Sequence, residues 1–486
     1  MEGILKTMKL HGIKNSYDEL NELSSKKLIQ KIYMKDKTLW PGEDEKLLGW
    51  LDCLDSIDSI IEDAEKFRLE LDKQGITEMI LFGMGGSASG ANLLNDYLHG
   101  GLTVINTIHP NVIEKLLNRD LSQTCFVFNS KSGSTLETKL FLDYIINVLN
   151  NQKLELSKHI VIITDPNTQF TKIAKKNNLQ CFHSDPDIGG RYSVLSASGV
   201  IPVVLSGVDT SPVIRQASRA LSFFKNDSPT NEILQLALFF QKESHIVEMS
   251  GSSESFNEWL KQLIAESTGK DKKGFLPVFN NENNNVLDPY EITIEIRRKV
   301  SICGTLGELI IFWELFVAVL GSILQINPFN QPDVELTKNK SKELSNHSKE
   351  NIEIETHEIS IKNLLDNCGY FVFQVYADLN STEWKNLEKL KNKIRSEYSI
   401  PISIDFGPNY LHSTGQFHKG GPLIGSFLQV YDEKIISKEL YNEFLYTHYL
   451  QAKSDYYILK ELGCNISIIQ TNQIDKLLKE FCFQER

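Results

Sequence analysis

A chain of 486 residues carrying a formal net charge of −12 is too long for one hydrophobic core and too acidic for non-specific nucleic-acid binding. Its 41% hydrophobic and 23% charged residues are ordinary for a folded globular protein. Seven cysteines (Cys53, Cys125, Cys181, Cys303, Cys368, Cys464, Cys482) are scattered, odd in number and never in CxxC spacing. That pattern excludes a disulfide framework and a zinc site, and reduced thiols in a cytoplasmic protein are expected.

The first residues contain no long apolar run, so no signal peptide is read, and residues 1–45 form a polar lead-in of helical pattern. A first α/β domain is expected over 46–225. Strands are predicted at Thr77–Phe82, Thr103–Thr107, Cys125–Asn129 and Ile160–Thr164, with helices at Ser87–Leu98 and Ser134–Leu149. Apolar strands without alternation, each followed by a helix, imply a doubly wound parallel sheet with ligands at its carboxyl ends. A second α/β domain is expected over 226–345, with a strand at His245–Met249, a helix at Glu254–Ser267 and a buried helix over 305–324. The apolar run Ile310–Ile323 is broken by Glu314 and falls short of the roughly 20 residues of a membrane span, so no membrane association is expected. Residues 280–285 and 337–350 read as polar loops. A C-terminal α/β segment over 346–486 completes the chain. Its strands are predicted at Tyr370–Tyr376, Ile402–Phe406, Phe427–Tyr431 and Ile466–Gln470, its helices at Thr382–Tyr398 and over 434–461.

Six stretches carry chemistry. In FGMGGSASG (82–90) the glycines Gly83, Gly85 and Gly86 allow a sharp turn and close ligand approach, and Ser87 and Ser89 add hydroxyls; a dinucleotide turn and a plain tight turn both fit. In NSKSGSTLET (129–138), the hydroxyls of Ser130, Ser132, Ser134 and Thr135, with Gly133, converge on a helix start, a setting that favours a phosphate dianion over simple capping. DIGGRYSVLSASG (187–199) places Arg191 beside Gly189 and Gly190, suited to facing a developing oxyanion. AESTGK (265–270) sets Glu266 at a helix end among small residues. INPFNQPDVELTKNK (326–340) is a rigid two-proline loop that starts a helix bearing Lys338. FGPNYLHSTGQFHKGGP (406–422) gathers His412 and His418 in one expected loop; without a third ligand at suitable spacing, proton transfer or phosphate contact fits better than metal binding.

DIGGRYSVLSASG and NPFNQPDVELTK resemble the two signatures of phosphoglucose isomerases, and the order GGS, SKSGST, GGRYS, ESTGK, NPFNQP, VELTK is that family's order. The resemblance spans roughly residues 75–345. KDKTLWPGEDE and LHSTGQFHKGGP extend it, resembling the isomerase half of bacterial transaldolase–isomerase fusions, here read as a stand-alone version. The resemblance implies two flavodoxin-like sugar-isomerase domains, interconversion of glucose 6-phosphate and fructose 6-phosphate, a homodimer, and neither cofactor nor metal. It further implies that Gly86, Ser87 and Gly190 contact the sugar phosphate, that Ser130, Lys131, Ser132, Ser134 and Thr135 hold the phosphate, that Arg191 faces the enediolate, that Glu266 is the base and that Lys338 assists ring opening. The family's histidine between the Glu and Lys motifs is missing, since residues 267–337 contain none. His418, ahead of His412, is expected to replace it. A mannose 6-phosphate isomerase of the same fold and a non-catalytic sugar-phosphate sensor are the rival readings. The sensor is disfavoured by the acidic charge and by the presence of Glu266.

Overall fold

The computed structural model describes residues 8–251, 253–280, 292–297, 299–345, 361–432 and 442–483. The chain divides into two compact units. The first comprises Met1–Asn106, Asp120–Thr268 and Gly274–Asn330; the second comprises Thr107–Arg119, Gly269–Lys273 and Gln331–Arg486.

The first unit holds strands β1 (Lys9–His11), β2 (Glu78–Phe82), β3 (Thr103–Ile105), β4 (Thr124–Asn129), β5 (Ile160–Thr164), β6 (Gln180–His183), β7 (Ile246–Ser250), β8 (Leu276–Phe279), β9 (Ile292–Ile296) and β10 (Val300–Gly304). β2 to β6 form a wholly parallel sheet in the order β3-β2-β4-β5-β6. Its central strands are rich in β-branched and aromatic residues and buried along nearly their whole length, as strands covered on both faces must be. Counted within the sheet, the order is the flavodoxin-like 2-1-3-4-5, whose direction of winding reverses between β2 and β4. The doubly wound fold class therefore stands for this sheet.

The second sheet departs from a purely parallel one. Its order is β1-β10-β9-β7-β8, with β7 and β8 parallel and every other pairing antiparallel. The lead-in is correspondingly not all helix: β1 adds an edge strand to β10 before helices at Tyr17–Ser25 and Leu28–Tyr33. Of the helices that matter for the site, α1 (Gly86–Tyr97) follows β2, α2 (Leu136–Asn151) follows β4, and α3 (Ala197–Leu205) and α4 (Glu254–Thr268) come later. α5 (Leu306–Leu324) starts in a Thr305–Glu308 capping box, in which the Thr305 N–H donates to Glu308 Oε2 at 2.9 Å. It is long and apolar enough to cross a membrane, but it is buried almost throughout and forms the centre of this unit's core.

The second unit holds β11 (Tyr370–Tyr376), β12 (Ile402–Phe406), β13 (Gly425–Tyr431) and β14 (Asn465–Gln470), a parallel sheet in the order β12-β11-β13-β14. Two stretches read wholly or partly as loop are helical here, and the helix start expected at Val334 is present. Residues 334–345 form α6 (Val334–Ser345), a polar helix stapled by the Lys338–Glu335 and Lys340–Glu343 pairs and seated through Val334 and Thr337. The stretch 406–422 contains a 3₁₀ turn (Asn409–His412) and a short helix α7 (Gly415–Gly420), followed later by α8 (Asn442–Glu461). Residues 281–285, 346–350 and 434–441, read as loop, loop and helix, lie outside the described residues.

Candidate active site

Adjacent carboxyl ends of β2 and β4 build a cradle in the first unit, Phe82 pairing with Phe128 at the point where the winding reverses. The loop after β2 meets the Gly189–Gly190 turn backbone to backbone. A Cβ on Gly86 would lie 2.2 Å from the Gly190 carbonyl carbon and 2.7 Å from the Arg191 nitrogen, so only glycine fits. Asn129, the last residue of β4, locks these parts together by donating from Nδ2 to the carbonyls of Ser87 (2.8 Å) and Ser198 (2.9 Å).

Hydroxyls surround the start of α2. Ser130 Oγ and Thr135 Oγ1 lie 3.1 Å apart, and Ser132 Oγ and Ser134 Oγ 2.9 Å apart. Ser132 and Ser134 are exposed, whereas Ser87 and Thr135 are half-buried. A tight turn at Gly133 (φ 59°) brings them round; a Cβ there would strike Thr168 at 2.7 Å. Lys131 turns its ammonium to Asp165 Oδ2 (2.7 Å) and the Pro186 carbonyl (2.7 Å), so hydroxyls, backbone N–H groups and the positive end of α2 make up the anion-attracting surface.

Glu266 and Arg191 form a buried pair beside this cradle, with Glu266 Oε1 3.0 Å from Arg191 Nη1 and both side chains at most 5% exposed. The guanidinium is also fixed by Ser267 Oγ (2.8 Å from Nε) and, from Nη2, by the carbonyls of Pro328 (2.6 Å) and Asn330 (3.0 Å). Here the first proline of NPFNQP has a direct use: it presents a rigid carbonyl to the arginine. Tyr192 reaches the same carbonyl at 3.2 Å, and burial pushes its phenol up to about 12. The other carboxylate oxygen, Glu266 Oε2, accepts from Gln262 Nε2 at 3.0 Å, while Gln262 Oε1 accepts from Ser89 Oγ at 2.9 Å. Gln262 was not among the residues expected from sequence. Its signal was spacing, since it lies four residues before Glu266 on one face of α4.

Lys338, His412 and His418 belong to the second unit. Lys338 is exposed and pairs with Glu335 at 2.7 Å. His412 ends the 3₁₀ turn and is half-buried. His418 is wholly buried, with Nε2 3.0 Å from Asp405 Oδ2 and Nδ1 3.1 Å from the Tyr370 hydroxyl. Desolvation lowers its pKa despite the pull of Asp405. Its neighbour Lys419 is equally buried, 2.7 Å from Asp455 Oδ1.

Several known proteins are similar to this chain. The family model described as phosphoglucose isomerase matches residues 62–275 and 293–365. A glucose-6-phosphate isomerase of Mycoplasmopsis pulmonis is 28% identical over 388 residues, 61% of this chain and 89% of that protein. One from Campylobacter jejuni is 30% identical over 240 residues, 47% of this chain and 58% of that protein. Among solved structures, a glucose-6-phosphate isomerase from Chlamydia trachomatis shares the fold with a TM-score of 0.58 at 17% identity, covering 71% of this chain and 90% of its own. A hypothetical protein from Thermus thermophilus does so at 0.59 and 20%, covering 70% of this chain and 100% of its own. The matched span covers more than half of the residues and carries the cradle, Arg191, Glu266 and Lys338, so the chain belongs to the phosphoglucose isomerase family.

Proposed function

We propose that this protein interconverts glucose 6-phosphate and fructose 6-phosphate by carrying a proton between C1 and C2 through an enediolate. The observation that carries the reading is the buried Glu266–Arg191 pair at 3.0 Å beside a hydroxyl-lined helix start, in a chain of this family. The phosphate dianion binds at Ser130, Ser132, Ser134, Thr135 and the N–H groups of α2, with Gly86, Ser87 and Gly190 along the sugar. Glu266 removes the C2 proton of the open-chain aldose. The C1 carbonyl oxygen takes the resulting charge, and Arg191 stabilises it without a proton of its own being lost. The same carboxyl returns the proton to C1, and a proton moves from the C2 hydroxyl to the C1 oxygen, giving the ketose.

Ring opening needs an acid at the ring oxygen and a base at the anomeric hydroxyl. His418 is poorly suited, because both ring nitrogens are engaged and its side chain has no exposure. We assign the role to His412, assisted by Lys338, whose ammonium is exposed. A homodimer, a cytoplasmic location and kinship with the isomerase half of transaldolase–isomerase fusions belong to the same proposal. The test is a coupled assay with fructose 6-phosphate, reading glucose 6-phosphate formation. Turnover that Glu266→Gln abolishes supports the reading, and a wild-type protein that leaves fructose 6-phosphate unchanged refutes it.

A further inference from the structure

The stretch KDKTLWPGEDE (35–45) leads into a segment, residues 40–50, that touches both the turn before Arg191 and the stretch that holds its guanidinium, all within the first unit. At one end the Gly49 N–H donates to the Asp187 carbonyl at 2.9 Å, four residues before the arginine. A Cβ on Gly49 would lie 3.0 Å from that carbonyl oxygen, so the two backbones are close. At the other end Trp40 is buried and donates from Nε1 to the Ala318 carbonyl of α5 at 2.9 Å. Its ring meets Phe329 edge-on, with centroids 4.9 Å apart. Phe329 in turn meets Tyr192 at 5.4 Å, and Tyr192 stacks on Trp50 at 5.6 Å, so the aromatic row closes back on the segment. Between these ends the Glu45 carbonyl accepts from Asn327 Nδ2 at 3.3 Å, and Asp44 Oδ2 accepts from Asn330 Nδ2 at 2.6 Å. Buried Lys46 gives its ammonium to the Gly42 carbonyl and closes the turn that carries Asp44.

Asn330 is the joint of this arrangement. Its backbone carbonyl accepts from Arg191 Nη2 at 3.0 Å, while its side-chain Oδ1 is buried and has no hydrogen-bond partner among the described residues. The bond from Nδ2 to Asp44 is therefore what fixes the amide. A buried acceptor left bare costs free energy, so without Asp44 the side chain gains by turning towards water, which loosens the backbone carbonyl beside it. We propose that residues 40–50 act as a strap that sets the position of the Arg191 guanidinium, with Asp44 as its positioning residue. Asp44 is exposed, so its loss changes global stability little. Its effect is on where the Asn330 carbonyl lies, and through that carbonyl on the arginine. A cation aimed at charge that develops only in the transition state is missed in turnover rather than in substrate affinity when it is displaced. The proposal rests on the reading of Arg191 as the cation that faces the enediolate.

The experiment compares Asp44→Ala and Asp44→Asn with Glu43→Ala, which removes an exposed carboxylate from the same turn and leaves the Asn330 bond in place. Steady-state kinetics with fructose 6-phosphate, Tm and amide hydrogen exchange over residues 326–330 are read on each. The expected result for Asp44→Ala is kcat lowered ~5-fold or more with KM within ~2-fold, Tm within about 2 °C of wild type, and faster exchange at 326–330. Asp44→Asn keeps an acceptor for Asn330 Nδ2 and should return kcat to within ~2-fold of wild type, as should Glu43→Ala. A kcat loss below ~5-fold in Asp44→Ala, or an equal loss in Asp44→Asn or in Glu43→Ala, overturns the proposal. If wild-type protein fails to turn over the sugar phosphate, the functional reading falls by itself. Hydrogen exchange then decides for the strap: protection at 326–330 unchanged in Asp44→Ala overturns it, and protection lost there but kept in Asp44→Asn retains it.

Discussion

Replacing Glu266 by glutamine separates chemistry from folding. In the native site Oε1 faces Arg191 at 3.0 Å and Oε2 accepts from Gln262 at 3.0 Å, with 4% of the residue exposed. Glutamine keeps one acceptor for Arg191 and the same volume, but turns an NH₂ towards the Gln262 amide, which must flip. Its flipped carbonyl then accepts from position 266, and the Ser89 hydroxyl, able to accept as well as donate, follows. The exchange converts one charge-assisted hydrogen bond into a neutral one, a cost of about 1–2 kcal/mol. Arg191 retains Ser267 Oγ and the carbonyls of Pro328 and Asn330, so it is not left bare. Tm should drop by only a few degrees, at roughly 2–4 °C per kcal/mol. Turnover should drop at least ~100-fold, because Glu266 is the carboxylate that this site pairs with the arginine. Arg191→Met gives the opposite balance, stranding a buried carboxylate at a cost of about 3–5 kcal/mol. Fructose 6-phosphate turnover and thermal melts on both variants make the check. Glu266→Gln turnover within a few-fold of wild type would refute the assignment of the base, and a larger Tm loss in Glu266→Gln than in Arg191→Met would refute the electrostatic reasoning.

Ser132→Ala combined with Thr135→Ala should raise KM by roughly tenfold per lost hydroxyl and leave kcat nearly unchanged, because the phosphate is held alike in ground and transition states; a kcat loss without a KM change counts against the cradle. His412→Ala should lose roughly 100-fold on cyclic fructose 6-phosphate yet keep proton exchange on an open-chain analogue, while His418→Asn should lose about 1–3 kcal/mol of stability through its bonds to Asp405 and Tyr370. The reverse pattern would hand ring opening back to His418. Glu314 lies fully buried in α5, and desolvation lifts its carboxyl well above the ordinary 4.5. A raised folded value means that the unfolded chain gives up this proton first, so stability drains away as pH climbs from about 4.5 towards the folded pKa. Glu314→Gln should therefore flatten the fall in Tm between pH 5 and pH 8, and parallel curves for the two proteins would refute the buried-proton account.

Strands β5 and β11 fall where β-branched and aromatic runs place them, because a strand covered on both faces has no other composition open to it. The cradle was legible for a similar local reason. Glycines that meet backbone to backbone, and hydroxyls clustered at a helix start, leave their mark within ten residues of sequence. α6 was legible only at its start: Val334–Lys338 reads as a helix opening, but from 337 onward the Lys/Asn-rich surface reads as loop and hides the continuation to Ser345. HSTGQFHKGG is legible only in part. Two histidines, a lysine and three glycines close together look like chemistry, since such residues are seldom buried. What decides their role is not local: Asp405 lies 13 residues before His418 and Asp455 36 residues after Lys419, on separate elements that only the folded sheet brings together. A buried cation or imidazole with its carboxylate already in place is a fixed point of the structure. His418, which the sequence puts ahead of His412 for proton transfer, thus serves better as part of the second unit's buried framework, and the half-buried His412 is left for the chemistry.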